Sequence, residues 1–218
     1  MNKHSLKLFA FLFLASAAIA LPIQGDTTQG TAKGHRFLEP QGLLEQIRAG
    51  GHVIYFRHAQ TEKDYADQVT ADPNDGSTQR VLSETGWHQA KSIGAAFRDL
   101  NIPVGVVYSS EYFRAWQTAD LAFGRYEKQP DLNFLPHEDY TAEQVEEMKR
   151  RMMPFLTAAP EAEKNTVIVG HDDPFEAATG IYPEPQGVAY VLKPDGDSGF
   201  SVVGRVGPEE WADMDASQ

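Results

Sequence analysis

The sequence contains no cysteine. That absence excludes disulfide bonds, thiolate nucleophiles, thiolate zinc sites and lipid attachment at cysteine. Positive charge is scarce as well: 19 Lys and Arg stand against 31 Asp and Glu, for a formal net charge of -12. So acidic a chain has little to offset repulsion by nucleic-acid phosphates or by an anionic membrane surface. We therefore expect partners that are neither nucleic acids nor membranes.

Long hydrophobic runs are also rare, and the clearest one lies at the start of the chain. Lys3 and Lys7 precede an apolar stretch from Leu8 to Leu21, and Ala18-Ile19-Ala20 forms a small-x-small site. These are the three regions of a secretory signal peptide, and the stretch is short for a membrane span, which needs about 20 residues. We predict a signal peptide over residues 1–20, cleavage after Ala20, and a periplasmic or secreted mature protein without stable membrane insertion.

The rest of the chain divides into a short lead-in and one domain. Residues 21–36 are rich in Gly, Thr and Gln without periodicity, which predicts a flexible lead-in. Residues 37–218 are predicted to form a single domain, because about 200 residues suffice for one α/β core.

Buried strands alternate with helical patterns through this domain. Continuous apolar runs at residues 53–56, 104–108 and 166–169 are typical of central parallel strands. Two further runs, at residues 187–192 and 200–206, flank a Pro-Asp-Gly-Asp turn and predict a hairpin. The expected fold is α/β, in three layers, with a mostly parallel central sheet, helices on both faces and a C-terminal β-hairpin.

Cationic side chains follow three of the predicted strands. Arg57 and His58 follow the first strand, Arg114 lies one helical turn beyond the second, and His171 follows the third. Each residue alone would be read as a surface charge or a capping group. Because the carboxyl ends of parallel strands share one edge of a sheet, the four groups should meet there, where they repel one another unless an anion lies between them. Arginine forks match the oxygens of phosphate, so the sequence predicts a phosphate site.

Such a site can transfer a phosphoryl group. An unprotonated imidazole nitrogen can attack phosphorus while the arginines and a second histidine balance the developing charge. A carboxylic acid would protonate the leaving oxygen, and water would hydrolyse the phosphohistidine. This chemistry needs neither a metal ion nor a cofactor, so we expect none.

Four segments resemble one protein family in order and spacing. Arg57-His58-Ala59-Gln60-Thr61 resembles the Arg-His-Gly/Ala-x-Thr signature of the histidine phosphatase superfamily, which includes the cofactor-dependent phosphoglycerate mutases. Residues 82–90, 109–119 and 167–171 are similar to its later motifs. The resemblance implies a phosphoglycerate-mutase-like fold, His58 as nucleophile, Arg57 and Arg114 as phosphate clamps, and His171 as the second pocket histidine. These last three, with Thr61 and Arg80, are the substrate-binding candidates.

The general acid is left open between two carboxyl groups. Many members of the family place a Glu in the loop that here spans residues 132–140, where Glu138 is the positional match and Asp139 its neighbour. Another branch places the acid directly after the last histidine, where this chain has Asp172. We favour Glu138, because the earlier motifs resemble the branch with a loop glutamate. Asp172 or Asp173 could instead cap the following helix.

Two other features have alternative interpretations. Arg80 reaches the substrate or pairs with Glu84, and the Pro-rich segment at residues 180–187 forms a rim of the pocket or a rigid connector, which we favour. The predicted function is an exported phosphatase acting on a small phosphomonoester. A mutase is disfavoured, because it uses a phosphorylated cofactor found in the cytoplasm. The alternative is a non-catalytic phosphate- or metal-binding protein, with His58, His171 and Asp172 as zinc ligands. The sequence indicates neither the natural substrate nor the oligomeric state.

Overall fold

The computed structural model describes residues 37–63, 67, 71–135 and 139–215. The predicted signal peptide, the predicted lead-in and Glu138 lie outside the described residues. In the described part of the chain, helices fall short of the length and apolar character needed to cross a bilayer.

Five helices and six strands alternate along the described chain. The helices are α1 Pro40–Ala49, α2 Glu84–Asp99, α3 Phe113–Phe123, α4 Ala142–Thr157 and α5 Asp172–Thr179. The strands are β1 Val53–Arg57, β2 Val104–Ser109, β3 Glu127–Lys128, β4 Asn165–Gly170, β5 Ala189–Pro194 and β6 Phe200–Val206. Short 3-10 turns complete several of the connections.

The six strands form one mixed sheet. The strand order is β3-β2-β4-β1-β5-β6. The first four strands in that order are parallel, and β5 runs antiparallel to both β1 and β6. The predicted α/β fold, with its mostly parallel sheet and C-terminal hairpin, is confirmed. Strand β3 was not predicted, because two exposed polar residues show no strand pattern.

Apolar side chains cover both faces of the sheet. In β1, Ile54 and Phe56 pack with the buried faces of α1, α2 and α3, whereas Val53 and Tyr55 pack with α4 and α5. Alternate residues of a strand point to opposite faces, so a strand covered on both sides must be apolar throughout. This explains the continuous hydrophobic run of β1. Truncating a fully buried side chain such as Phe56 to alanine should cost about 3–5 kcal/mol.

Local signals place the helices that border the site. Helix α2 begins after Ser83, whose hydroxyl accepts a hydrogen bond from the Gly86 backbone N–H at 3.0 Å. Helix α3 ends at Gly124, which adopts a left-handed φ of 68°. Helices α3 and α5 each begin within four residues of a strand end, so their first turns lie beside the carboxyl edge of the sheet.

Candidate active site

The carboxyl ends of β1, β4 and β2 meet at one edge of the sheet. Arg57 pairs with Gly170 and Ser109 with Val169 in the parallel register. The pairing continues past the strands, because His58 N donates to Gly170 O and Ser110 N donates to Val169 O, each at 3.0 Å. The residues that follow the three strands are therefore neighbours, as the sequence predicted.

His58 is fixed as a neutral imidazole with one ring lone pair, which lies on Nε2. Its Nδ1 lies 2.8 Å from the carbonyl oxygen of Ala59, and the Arg114 Nε–H donates to its Nε2 at 3.2 Å. Nδ1 is therefore the protonated nitrogen and Nε2 carries the lone pair. Burial and the charge of Arg114 lower the pKa of His58 well below its ordinary value. A neutral ring with Nε2 unprotonated is the form that attack on phosphorus requires.

Arg114 is the second residue of α3 and is almost completely buried. Besides its contact with His58, its Nη1 donates to Asp67 Oδ1 at 2.8 Å. The same Asp67 oxygen accepts from the backbone N–H of Arg80 at 2.7 Å. Asp67 thus orients the guanidinium. It lies in a polar loop without periodicity, and no pattern in the sequence indicated this role.

Arg57 is held by groups on two segments. Its Nη2 donates to Asp172 Oδ2 at 2.6 Å, and its Nη1 donates to Glu184 Oε2 at 2.7 Å and to the carbonyl of Pro183 at 2.9 Å. The Pro-rich segment therefore borders the site, and the preference for a simple connector is wrong. The reason is that Glu184, with the carbonyl before it, supplies acceptors that a buried guanidinium needs.

His171 lies opposite His58, with ring centroids 5.5 Å apart. Its Nε2 is 2.8 Å from Ser110 Oγ, and the rings of Tyr112 and Phe134 pack edge-on against it, with centroids 5.4 and 4.8 Å away. Burial and the charge of Arg114 lower the pKa of His171 well below its ordinary value. Both imidazoles are therefore neutral in this arrangement.

Three buried nitrogens around His58 have no hydrogen-bond partner among the described residues. They are Arg57 Nε, Arg80 Nε and His171 Nδ1. The charges of Arg57 and Arg80 act on both histidines. The two arginine nitrogens are donors, buried donors are normally satisfied, and a tetrahedral oxyanion has enough acceptor oxygens for both. The donor set fits a phosphoryl group.

Arg80 and Thr61 lie beside a cavity of about 430 Å³ next to this site. Arg80 forms no ion pair with Glu84 in the described structure, so that alternative is wrong. Thr61 exchanges two hydrogen bonds with Gln186: its N–H donates to Oε1 at 3.0 Å, and Nε2 donates to its hydroxyl at 3.2 Å. The cavity is lined by Arg57, Gln60, Thr61, Glu62, Lys63, Arg80, Gln89, Glu184, Pro185, Gln186 and Pro208.

The two carboxyl groups after His171 do not cap α5. The N-cap residue is His171, and Asp172 and Asp173 are the first two residues of the helix. Asp172 Oδ2 accepts from Arg57 and from the Tyr182 hydroxyl, the latter at 2.9 Å. Asp173 Oδ2 lies 2.9 Å from the Tyr140 hydroxyl, and burial raises the pKa of Asp173.

The zinc alternative lacks a ligand set in the described structure. No group of three His, Asp or Glu side chains converges there in a way that could share a metal ion. The Asp172 carboxylate instead bonds to Arg57 and Tyr182. Two guanidinium groups beside the histidines also oppose a dication electrostatically.

The family comparison agrees with the motifs. Residues 53–133 match the sequence model of the histidine phosphatase superfamily, branch 1. The chain has no match among the curated proteins. Over those residues the chain is similar to the histidine phosphatase superfamily, and the fold described above is similar to that of solved phosphoglycerate-mutase-like structures.

Several solved structures share the fold at low sequence identity. The protein histidine phosphatase SixA complexed with tungstate matches with a TM-score of 0.51 and 13% identity, over 73% of this chain and 98% of that one. A mycobacterial glucosyl-3-phosphoglycerate phosphatase complexed with VO3 matches with a TM-score of 0.52 and 16% identity, over 72% and 100% of the two chains. The protein TTHB049 from Thermus thermophilus matches with a TM-score of 0.50 and 19% identity, over 72% and 99%.

Proposed function

We propose that this protein is a phosphatase that hydrolyses a phosphomonoester through a phosphohistidine on His58. The observation that carries the proposal is the state of that imidazole. Its Nδ1–H is held by the carbonyl of Ala59, and its Nε2 lone pair lies among buried arginine donors. A histidine fixed in this tautomer is a nucleophile towards an anion that the arginines hold.

The proposed hydrolysis has two steps, and the residues of the site have different roles in them. In the first, the Nε2 lone pair forms a bond to phosphorus while the bond from phosphorus to the leaving oxygen breaks. Arg57, Arg114 and His171 contact the phosphoryl oxygens and balance their charge. In the second, a water oxygen attacks phosphorus and the Nε2 bond breaks, which releases inorganic phosphate and restores neutral His58. No step requires a redox change or a co-reactant other than water.

For the proton on the leaving oxygen, we propose Glu138 ahead of Asp172. Glu138 lies outside the described residues, and the sequence pattern supports this choice. The position of Asp172 weakens its claim, because its Oδ2 already accepts hydrogen bonds from both Arg57 and Tyr182. An oxygen engaged as a double acceptor is poorly placed to deliver a proton.

We propose a small phosphorylated molecule as substrate. Two of the solved structures of this fold belong to enzymes with different substrates: one is a protein histidine phosphatase and the other a glucosyl-3-phosphoglycerate phosphatase. Both structures are complexes with an oxyanion, which supports phosphoryl binding in this fold. Their differing substrates mean that the organic part of the substrate has to be found by screening phosphorylated sugars, nucleotides and lipopolysaccharide fragments.

The test is chemical trapping of the intermediate. Wild-type protein quenched with labelled substrate should carry an acid-labile, base-stable phosphoryl group on His58, and His58→Ala should lose turnover while keeping its fold. Hydrolysis of an aryl phosphate should survive EDTA. Label on His171 would overturn the assignment of the nucleophile. Phosphate binding without turnover on any substrate would instead favour the non-catalytic phosphate-binding protein.

We also propose that the protein is exported. The support is the basic start, the short apolar run and the Ala18-Ile19-Ala20 site of the sequence. The mature protein should begin at Leu21, and N-terminal sequencing of the periplasmic or secreted protein checks this. An intact Met1 in a membrane fraction would show that the segment is retained as an anchor.

A further inference from the structure

A chain of four polar side chains runs from Glu111 to His171, and its hydrogen bonds have a fixed direction. The amide of Asn133 is its second member. The amide Nδ2 donates to Glu111 Oε2 at 2.8 Å, and the amide Oδ1 accepts from the Glu111 backbone N–H at 2.9 Å. Turning the amide over would set nitrogen against an N–H and oxygen against a carboxylate. Glu111 therefore fixes which end of the Asn133 amide is the acceptor.

That orientation commits the only hydroxyl proton of Ser110. Ser110 Oγ lies 2.8 Å from Asn133 Oδ1, which can only accept, so Ser110 must donate to it. The lone pairs of Ser110 Oγ remain for other donors. One is the backbone N–H of Tyr112 at 3.2 Å, and the other is His171 Nε2 at 2.8 Å.

His171 Nε2 must therefore carry a proton. Since a neutral imidazole has only one N–H, its Nδ1 carries a lone pair. Nδ1 is buried and has no hydrogen-bond partner among the described residues. The two histidines of the site are thus neutral in opposite tautomers: His58 is protonated on Nδ1 and His171 on Nε2.

The groups that face His171 explain why it stays neutral. Arg57 and His58 approach from the end of β1, Arg114 from α3, and Arg80 from the loop before α2. The three guanidinium groups oppose a positive charge on the ring, as does its burial. The rings of Tyr112 and Phe134 complete its surroundings, and on its own helix the carboxyl groups are those of Asp172 and Asp173.

A phosphoryl group changes this balance. A phosphoryl oxygen that approached the Nδ1 lone pair would be repelled, because both atoms are hydrogen-bond acceptors. A proton on Nδ1 converts the contact into a charge-assisted hydrogen bond, and the incoming dianion offsets the arginines that kept the ring neutral. Anion binding and protonation of His171 therefore favour each other.

On the basis of the phosphatase function proposed above, we propose that Glu111 and Asn133 are positioning residues that act through Ser110. They hold His171 protonated on Nε2, so that phosphoryl binding proceeds with uptake of one proton at Nδ1. The proton comes from solvent, or from the ester itself when the monoanion binds. The resulting imidazolium, hydrogen-bonded at both nitrogens, is the fixed positive charge opposite His58.

Sulfate is the probe for this linkage. It is a tetrahedral dianion that does not titrate near neutral pH, so any proton taken up on binding enters the protein. Calorimetric titrations of the full chain with sulfate at pH 7.5, in two buffers of different ionisation enthalpy, measure that uptake directly. We expect about one proton per sulfate, and sulfate affinity that rises close to tenfold per unit fall in pH.

Removing Asn133 Oδ1, the acceptor for the Ser110 hydroxyl, should abolish the coupling between sulfate binding and proton uptake. In Asn133→Leu, the Ser110 hydroxyl is free to turn and donate to His171 Nε2, which lets the neutral ring present Nδ1–H to the anion. Proton uptake should then fall well below one. Glu111→Gln keeps the shape of the contact with Asn133 and is the second variant to use if Asn133→Leu folds poorly. We expect it to lower the proton uptake by a smaller amount. Glu127→Gln, on the exposed edge strand β3, is the matched control and should leave the uptake unchanged.

Nitrogen NMR of the unliganded protein gives an independent measurement of the tautomer of His171. The wild type should show Nε2–H and an unprotonated Nδ1. An Nδ1–H tautomer, or uptake unchanged in both Asn133→Leu and Glu111→Gln, would overturn the proposal. If sulfate binds without proton uptake while His58 is still phosphorylated, the inference fails and the phosphatase function stands. If sulfate does not bind and no phosphoryl group is transferred, both fail.

Discussion

Arg57 and Asp172 form one of the shortest hydrogen bonds of the site, with Nη2 and Oδ2 2.6 Å apart. The bond joins the end of β1 to the first residue of α5, and the Tyr182 hydroxyl donates to the same carboxylate oxygen at 2.9 Å. Asp172 thus fixes the guanidinium that is expected to hold phosphate. This relationship gives Asp172 a role that is distinct from that of a proton donor.

The leaving group should separate the two candidate acids. Glu138→Gln should slow hydrolysis of an alkyl phosphate, which has a poor leaving group, by roughly 10²-fold more than hydrolysis of a nitrophenyl phosphate. Asp172→Asn should weaken both reactions to a similar extent, mainly through KM, because it loosens Arg57. The measurement is kcat and KM for both esters. A leaving-group-dependent loss confined to Asp172→Asn would make Asp172 the acid.

His58 should resist protonation in mildly acidic solution. Burial and Arg114 lower its pKa well below the ordinary 6.5, so the ring should stay neutral at pH 6.5 and above. Arg114→Gln removes one of these causes and should raise the pKa of His58. Nitrogen NMR titration of the imidazole measures the pKa of His58 in the wild type and in Arg114→Gln.

The control for this titration is His88→Gln. The His88 side chain is 74% exposed on α2, and its removal should leave the titration of His58 unchanged. A wild-type His58 that titrates at or above 6.5 would contradict the electrostatic account of the site.

Asp173 should make stability depend on pH. Because burial raises its pKa in the folded state, the folded protein binds this proton more tightly than the unfolded chain does. The resulting stabilisation is present below the ordinary pKa of about 3.8 and is lost as the pH rises through the folded-state pKa. Asp173→Asn should therefore gain stability relative to the wild type between pH 3.5 and pH 7, as measured by urea unfolding.

Asp75→Asn is the control, because the pKa of Asp75 is shifted in the opposite direction to that of Asp173. Hydrogen bonds from Ser77 lower the pKa of Asp75, which stabilises the folded state above its ordinary pKa. This variant should lose stability relative to the wild type as the pH rises over the same range. The same pH trend in both variants would refute the assignment of either shift.

Gly86 should be intolerant of a side chain. A Cβ added there would overlap the backbone carbonyl of Gln60, two residues after His58. Gly86→Ala should cost roughly 1–3 kcal/mol of unfolding free energy and lower activity, because the loop after β1 has to move. Gly42→Ala, in α1, has open space around the added Cβ and should be neutral or stabilising by up to about 1 kcal/mol. Thermal unfolding of the two variants makes the comparison; equal effects would contradict the close approach of α2.

The fold and the central site residues could be predicted because their signals are local. Continuous apolar runs marked β1, β2 and β4, and the rule that parallel strands share their carboxyl edge brought His58, Arg114 and His171 together. The predicted catalytic roles of these residues remain predictions.

The partners of the arginines could not be predicted. Asp67 and Glu184 lie in segments without periodicity, and their contacts depend on loop paths that a single sequence does not encode. The contact between Glu111 and Asn133 could not be predicted either, because the two residues are 22 positions apart in the sequence.

The hairpin between β5 and β6 has a practical use. Because β5 runs antiparallel to β1, with Leu192 beside Val53, the turn at residues 195–199 lies at the edge of the sheet opposite to His58. Ser198 in that turn is exposed, and the chain has no cysteine of its own. A single Ser198→Cys substitution would therefore offer one thiol for coupling the protein to a surface, with the edge that carries His58 directed into solution.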